Sequence, residues 1–205
     1  MVVPYQTVWN GEGMASRRDW LDAGLAILAE RGAPALTIER LTERLGLTKG
    51  SFYHHFKGMG GYRTALLAHF EAESTTRFIE LAEADPHAPA LARLERLLDL
   101  VVDKDEHGPE LEVAVRAWAQ QDAEARDLQE RVDRTRIGYL RDRWQELTGD
   151  PDEADRVANL FYMITIGAEH VIPPLAGADL RRLFEHALRL ATGDRAGAPS
   201  QEDVP

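Results

Sequence analysis

The sequence contains no cysteine, which excludes disulfides, cysteine metal sites and thiol nucleophiles. No apolar run reaches the length of a membrane span. The opening Met1-Val2-Val3-Pro4-Tyr5-Gln6 lacks the charged-then-apolar pattern of a signal peptide, so a cytoplasmic protein without membrane contact is expected. No segment alternates apolar and polar residues with strand period, and no internal repeat is visible. Glycine-rich phosphate loops are absent. None of the seven histidines forms an i, i+4 pair around a glutamate. His54 and His55 are adjacent and so point to different sides of a helix, which argues against metal ligation there. Ser16, Ser51, Ser74 and Ser200 have no nucleophile-elbow context. Neither catalysis nor a cofactor nor a metal is expected.

What remains is helical period along most of the 205 residues, enough chain for one or two domains with a substantial core. The net charge of −11 is unevenly spread. Residues 1–63 hold eight Lys/Arg against six Asp/Glu, and the remainder holds 16 against 29. An acidic body keeps a protein soluble and discourages nonspecific nucleic-acid contact, while a mildly basic first third can approach it.

The most informative stretch runs from Leu36 to Lys57. Thr37 is placed to cap a short helix whose apolar face is Ile38, Leu41 and Leu45. Gly46 supplies the left-handed residue that ends it. Thr48 is placed to cap a second helix, Thr48–Phe56, with Lys49, Gly50 and Ser51 in its first turn. Small residues there let the backbone approach a phosphate, and the helix start offers free N–H groups. Phe52 and Phe56 face inward, leaving Tyr53, His54 and Lys57 outward, where they can donate to phosphates or reach base edges. Upstream, Ser16 and Asp19 have the spacing of a capping box at the start of a helix Ser16–Arg31, and Arg17 and Arg18 there could touch phosphate. Residues 1–13 carry no Lys or Arg, so they do not form a basic arm. The whole segment reads as a helix-turn-helix.

The pattern from Arg17 to Lys57 resembles the N-terminal domain of the TetR family of bacterial repressors. The resemblance rests on "Glu-Arg-Gly", "Leu-Thr-Ile-Glu-Arg-Leu" and above all "Leu-Gly-Leu-Thr-Lys-Gly-Ser-Phe-Tyr-His-His-Phe". It implies an all-α homodimer in which a helix-turn-helix domain is followed by a ligand-binding body. It also implies a double-stranded, roughly palindromic operator, and a small-molecule effector whose binding releases it. The expected divisions are a tail over 1–14, a DNA-binding domain over 15–61, a helical effector-binding and dimerisation domain over 62–192, and a flexible tail over 193–205. DNA contacts are expected from Arg17, Arg18, Thr37, Thr48, Lys49, Gly50, Ser51, Tyr53, His54 and Lys57. One departure is Gly58-Met59-Gly60-Gly61, which suggests that the following helix starts late, near Tyr62, before running to about Ala84.

Within the body, Glu153–Val171 is apolar almost all round, and Ala178–Ala191 carries one stripe of Leu180, Leu183, Phe184, Ala187, Leu188 and Ala191. A helix apolar on every side must bury more than one face. Two such helices from each of two chains would make a four-helix dimer interface; both could instead be internal core. Given the resemblance, an effector pocket is expected among residues such as Trp118, Tyr139, Trp144, Met163 and His170, each of which also suits ordinary packing. The competing reading is a helical ligand-binding or protein-interaction module without DNA binding.

Overall fold

A computed structural model of the chain describes residues 15–103 and 108–193. The two expected tails lie outside these residues, apart from Gly193. Every regular element among them is helical. Helix α1, Arg17–Arg31, opens on the capping box: the Ser16 N–H donates to Asp19 Oδ2 at 2.7 Å, and the Asp19 N–H donates to Ser16 Oγ at 3.2 Å. After a 3₁₀ turn, Ala33–Ala35, come α2, Ile38–Leu45, and α3, Lys49–His55. Thr37 and Thr48 cap them, accepting from the Arg40 and Ser51 N–H groups, each at 3.3 Å. Gly46 between them takes φ +65°, the left-handed turn that separates the pair.

Helix α4, Met59–Glu71, begins earlier than expected. Glycine penalises a helix interior more than a first turn. Here Gly58 turns the chain at φ +126°, and its carbonyl accepts from the Tyr62 N–H at 3.0 Å. Tyr62, fully buried, anchors this first turn and lets it hold Gly60 and Gly61. The helix continues through a π segment, Ala72–Thr76, into α5, Arg77–Ala82. Then follow α6, Ala90–Val102; α7, Gly108–Ala119; α8, Ala123–Thr148; α9, Pro151–His170; and α10, Gly177–Gly193.

One apolar core joins the helix-turn-helix to the body. Trp20, Leu28, Leu41, Phe52, Tyr62 and Leu66 of the first four helices share it with Val115, Trp118, Leu128 and Val132 of α7 and α8. Two smaller clusters hold the far end. In one, Val102, Ala168, Leu180 and Phe184 pack together; in the other, Trp144 meets Ala154 and Val157. Phe161 packs against both. No helix among the described residues is long and apolar enough to cross a membrane.

Candidate DNA interface and body cavity

Helix α3 is fixed from below by aromatic packing. Phe52 lies edge-on to Trp20 with ring centroids 5.5 Å apart, and meets Phe56 at 5.3 Å and Tyr62 at 5.5 Å. Such contacts add specific geometry to the area that the rings bury. With Phe52 and Phe56 inside, Tyr53 is 57 % exposed, and Thr48, Lys49, Gly50, His54 and Lys57 also face solvent. Ser51 is half-buried. His55 points the other way and donates from Nε2 to the Ala15 carbonyl at 2.9 Å, tying α3 to the start of α1.

The cations near this surface have partners in the chain. The Lys49 ammonium is 2.5 Å from Glu39 of α2, an exposed pair that holds the Lys49 pKa above its ordinary value and the Glu39 carboxyl below. Arg17 lies over the Phe56 ring, 5.3 Å from its centroid. Arg18 turns away from the α3 surface, to Glu73 in the π segment at 2.9 Å and Asp22 at 3.6 Å. Thr37 is taken up with capping α2. Thus Thr48, Lys49, Gly50, Ser51, Tyr53, His54 and Lys57 gather at or beside α3, whereas Arg18 serves an intramolecular link.

The body encloses a cavity of about 110 Å³ between the π segment and helices α5, α6, α8, α9 and α10. Tyr139 and Trp144 line it. Trp118 does not: it is buried in the core that joins α7 to α1. Met163 is 58 % exposed, because on α9 Phe161, Tyr162 and Thr165 turn to the cavity and put Met163 on the opposite side. His170 is exposed at the end of α9 and donates to the Ile166 carbonyl at 2.8 Å. These three residues are therefore not pocket residues in this fold.

Polar groups at the cavity wall are bound to one another. Arg136 donates from Nε to Thr75 Oγ1 at 2.9 Å and from Nη2 to the Ser74 carbonyl at 3.1 Å. It also grips the Glu112 carboxylate at 2.7 and 3.0 Å. Burial alone would lower the Arg136 pKa, but the Glu112 charge outweighs it and holds the guanidinium charged. Tyr162 donates to Asp133 at 2.6 Å and accepts from Arg116 at 2.8 Å. The Asp133 carboxyl, though partly desolvated, is held below its ordinary pKa by bonds from Arg116, Tyr162 and Gln129. The Arg136–Glu112 pair was not foreseen from the sequence, although Arg136 falls in register with Leu128, Val132, Leu140 and Trp144 every fourth residue along α8.

Residues 21–61 match the family "bacterial regulatory proteins, tetR family". The chain carries a TetR-family N-terminal helix-turn-helix domain. A helix-turn-helix of this type is a DNA-binding domain, so this part of the chain is built to bind DNA. No curated protein matches the sequence. A crystal structure described as a candidate transcriptional regulator from Streptomyces coelicolor A3(2) superimposes with a TM-score of 0.60 at 18 % identity. That match covers 87 % of this chain and 99 % of the other. At that identity the likeness speaks to the fold alone, which the two chains share through the helical body.

Proposed function

We propose that the chain is a cytoplasmic, homodimeric repressor of the TetR type. In this reading it holds a roughly palindromic operator and leaves it when a small, largely apolar molecule fills the body cavity. The observation that carries the proposal is the pairing of an outward Lys49, Ser51, Tyr53, His54 face on α3 with a cavity walled by the helix that leads out of the DNA-binding domain. Ser74 and Thr75 of the π segment line the cavity, while Glu73 between them and α4 holds Arg18 at the start of α1. His69 of α4 likewise donates to Asp22 of α1 at 2.6 Å. A ligand that prefers one setting of the π segment would shift the population of orientations of α1 and, with it, α3. A coupling of about 1–3 kcal/mol corresponds to a 5- to 150-fold change in operator affinity.

The test is a mobility-shift titration on the DNA upstream of the chain's own coding sequence. The parent should bind it specifically. Tyr53→Ala and Lys49→Ala should each weaken binding without changing the thermal unfolding midpoint, and Lys57→Ala should lessen the salt dependence by about one phosphate contact. If Tyr53→Ala and Lys49→Ala both bind as tightly as the parent, α3 is not the reading element. A second reading is a helical ligand-binding module without DNA binding, favoured by the Lys49–Glu39 and Arg18–Glu73 pairs that draw cations away from a phosphate backbone. No shift by the parent on any upstream fragment would select it.

A further inference from the structure

We propose that Glu39 is a specificity-determining residue: it withholds Lys49 from duplex DNA at large and yields it where the operator sets a phosphate or base-edge acceptor against α3. This rests on the DNA-binding reading above and adds to it how the chain tells its operator from other DNA.

Cations are scarce at α3. From Leu47 to Lys57 the chain has two lysines, Lys49 and Lys57, no arginine, and no Asp or Glu. An acid reaches this surface from α2: Glu39, in the first turn of that helix, stands 2.5 Å from the Lys49 ammonium. The positive end of α2 favours a carboxylate there. Other cations of the domain are paired away from α3. Arg44 grips Glu30 of α1 at 2.8 and 3.0 Å, and Arg18 holds Glu73 of the π segment. Glu39 therefore neutralises one of the two lysines that this surface presents to a phosphate backbone.

The exposure of the pair decides what it does. The Lys49 and Glu39 side chains are 60 % and 67 % exposed. An exposed ion pair is weak, worth at most about a fivefold change in an equilibrium. A phosphate held against Lys49 by the rest of α3 thus displaces Glu39 readily. Nonspecific binding is different, because it comes from cations that release counterions from phosphates. When Lys49 leaves Glu39 for a loosely held phosphate, the bared carboxylate gathers a counterion of its own, and the net release is lost. At the operator Lys49 also gains a directed hydrogen bond, which survives that exchange. The pair therefore lowers affinity for DNA at large more than for the operator, which is discrimination by a repulsive element.

Glu39→Gln, Lys49→Ala and the double variant test this in the full-length chain. Binding is measured by fluorescence anisotropy across a salt series. Two duplexes of equal length are used, the upstream fragment that the parent binds and a random sequence. Both side chains are exposed, so all three variants should keep the parent's thermal unfolding midpoint. Glu39→Gln should bind the random duplex about threefold to fivefold more tightly than the parent. Its salt slope on that duplex should steepen by about one phosphate contact. Its affinity for the upstream fragment should rise less than about twofold, so the ratio of specific to nonspecific affinity falls. With Lys49→Ala already in place, Glu39→Gln should change the random-duplex affinity by less than about twofold. The proposal is overturned if Glu39→Gln leaves the random duplex unchanged or tightens both duplexes equally. It is also overturned if the gain persists beside Lys49→Ala, which would make Glu39 a plain repulsive charge. A parent that binds no upstream fragment more tightly than random sequence would defeat the DNA-binding reading and this inference with it, an outcome distinct from the other three.

Discussion

Gly24 shows how closely the DNA-reading domain is packed at the level of a single atom. A Cβ at this position would stand 1.8 Å from the Tyr62 hydroxyl and 3.0 Å from Leu66. That hydroxyl donates to the Trp20 carbonyl at 2.8 Å and is buried, which pushes its pKa above the ordinary tyrosine range. Glycine is thus required by approach rather than by backbone angle. Gly24→Ala should destabilise the fold by about 1–3 kcal/mol, the usual cost of overpacking. Tyr62→Phe should cost about 1 kcal/mol, for one buried hydrogen bond. The double variant should be more stable than the sum of the two losses predicts, because removing the hydroxyl also removes the nearest clash. Urea unfolding of all four proteins tests this; strictly additive losses would mean that Gly24 and Tyr62 do not share this contact. None of it could be read from the chain, since a glycine inside a helix names no partner and Tyr62 is far away in sequence. The inward Phe52 and Phe56 and the outward Tyr53 of the same domain were legible, because helical spacing alone assigns them to opposite sides.

At the level of elements, the unusual piece is the π turn inside the helix from Met59 to Ala82. One helix across this region was expected from the sequence, but the widened turn was not. A π turn frees backbone carbonyls that then need donors. Arg136 of α8 supplies one, bonding to the Ser74 carbonyl and to the Ser74 and Thr75 hydroxyls, while Glu112 of α7 balances its charge. The sequence carried a hint of this: a charge in the apolar register of α8 implies a buried partner. Which partner depends on how α7 packs, and that is a tertiary fact. Arg136→Met should destabilise by about 3–5 kcal/mol, because Glu112, 2 % exposed, loses its guanidinium inside the core. The pair Arg136→Met with Glu112→Leu should recover most of that stability, as apolar replacements of buried ion pairs often do. If the single variant unfolds at the same denaturant concentration as the parent, the pair does not hold the π turn.

For the whole molecule, the homodimer proposed above needs an outward apolar face. Apolarity all round α9 pointed to two buried sides, and the fold divides them. Ala154, Val157, Ala158, Tyr162 and Ala168 pack inward, while Leu160 and Met163 remain exposed. The stripe on α10 divides in the same way: Leu180, Phe184 and Ala187 are buried, and Leu183 and Leu190 are exposed. Sequence alone could not make this division, because an apolar stripe wide enough for two partners does not say which edge faces which. In particular Phe184, stacked on Phe161, belongs to the chain's own core. A stable homodimer buries about 1,600 Å² or more in total, and these outward residues of α9 and α10 are the apolar centre that such a contact would use. The combined variant Met163→Asp, Leu183→Asp should therefore keep its helicity and thermal unfolding but run as a monomer in sedimentation velocity. It should also lose tight operator binding, since two recognition helices about 34–36 Å apart are needed to read both half-sites. Phe184→Asp should instead unfold the body. A dimer that survives Met163→Asp, Leu183→Asp unchanged would move the interface elsewhere, and a monomeric parent would remove the two-fold reader altogether.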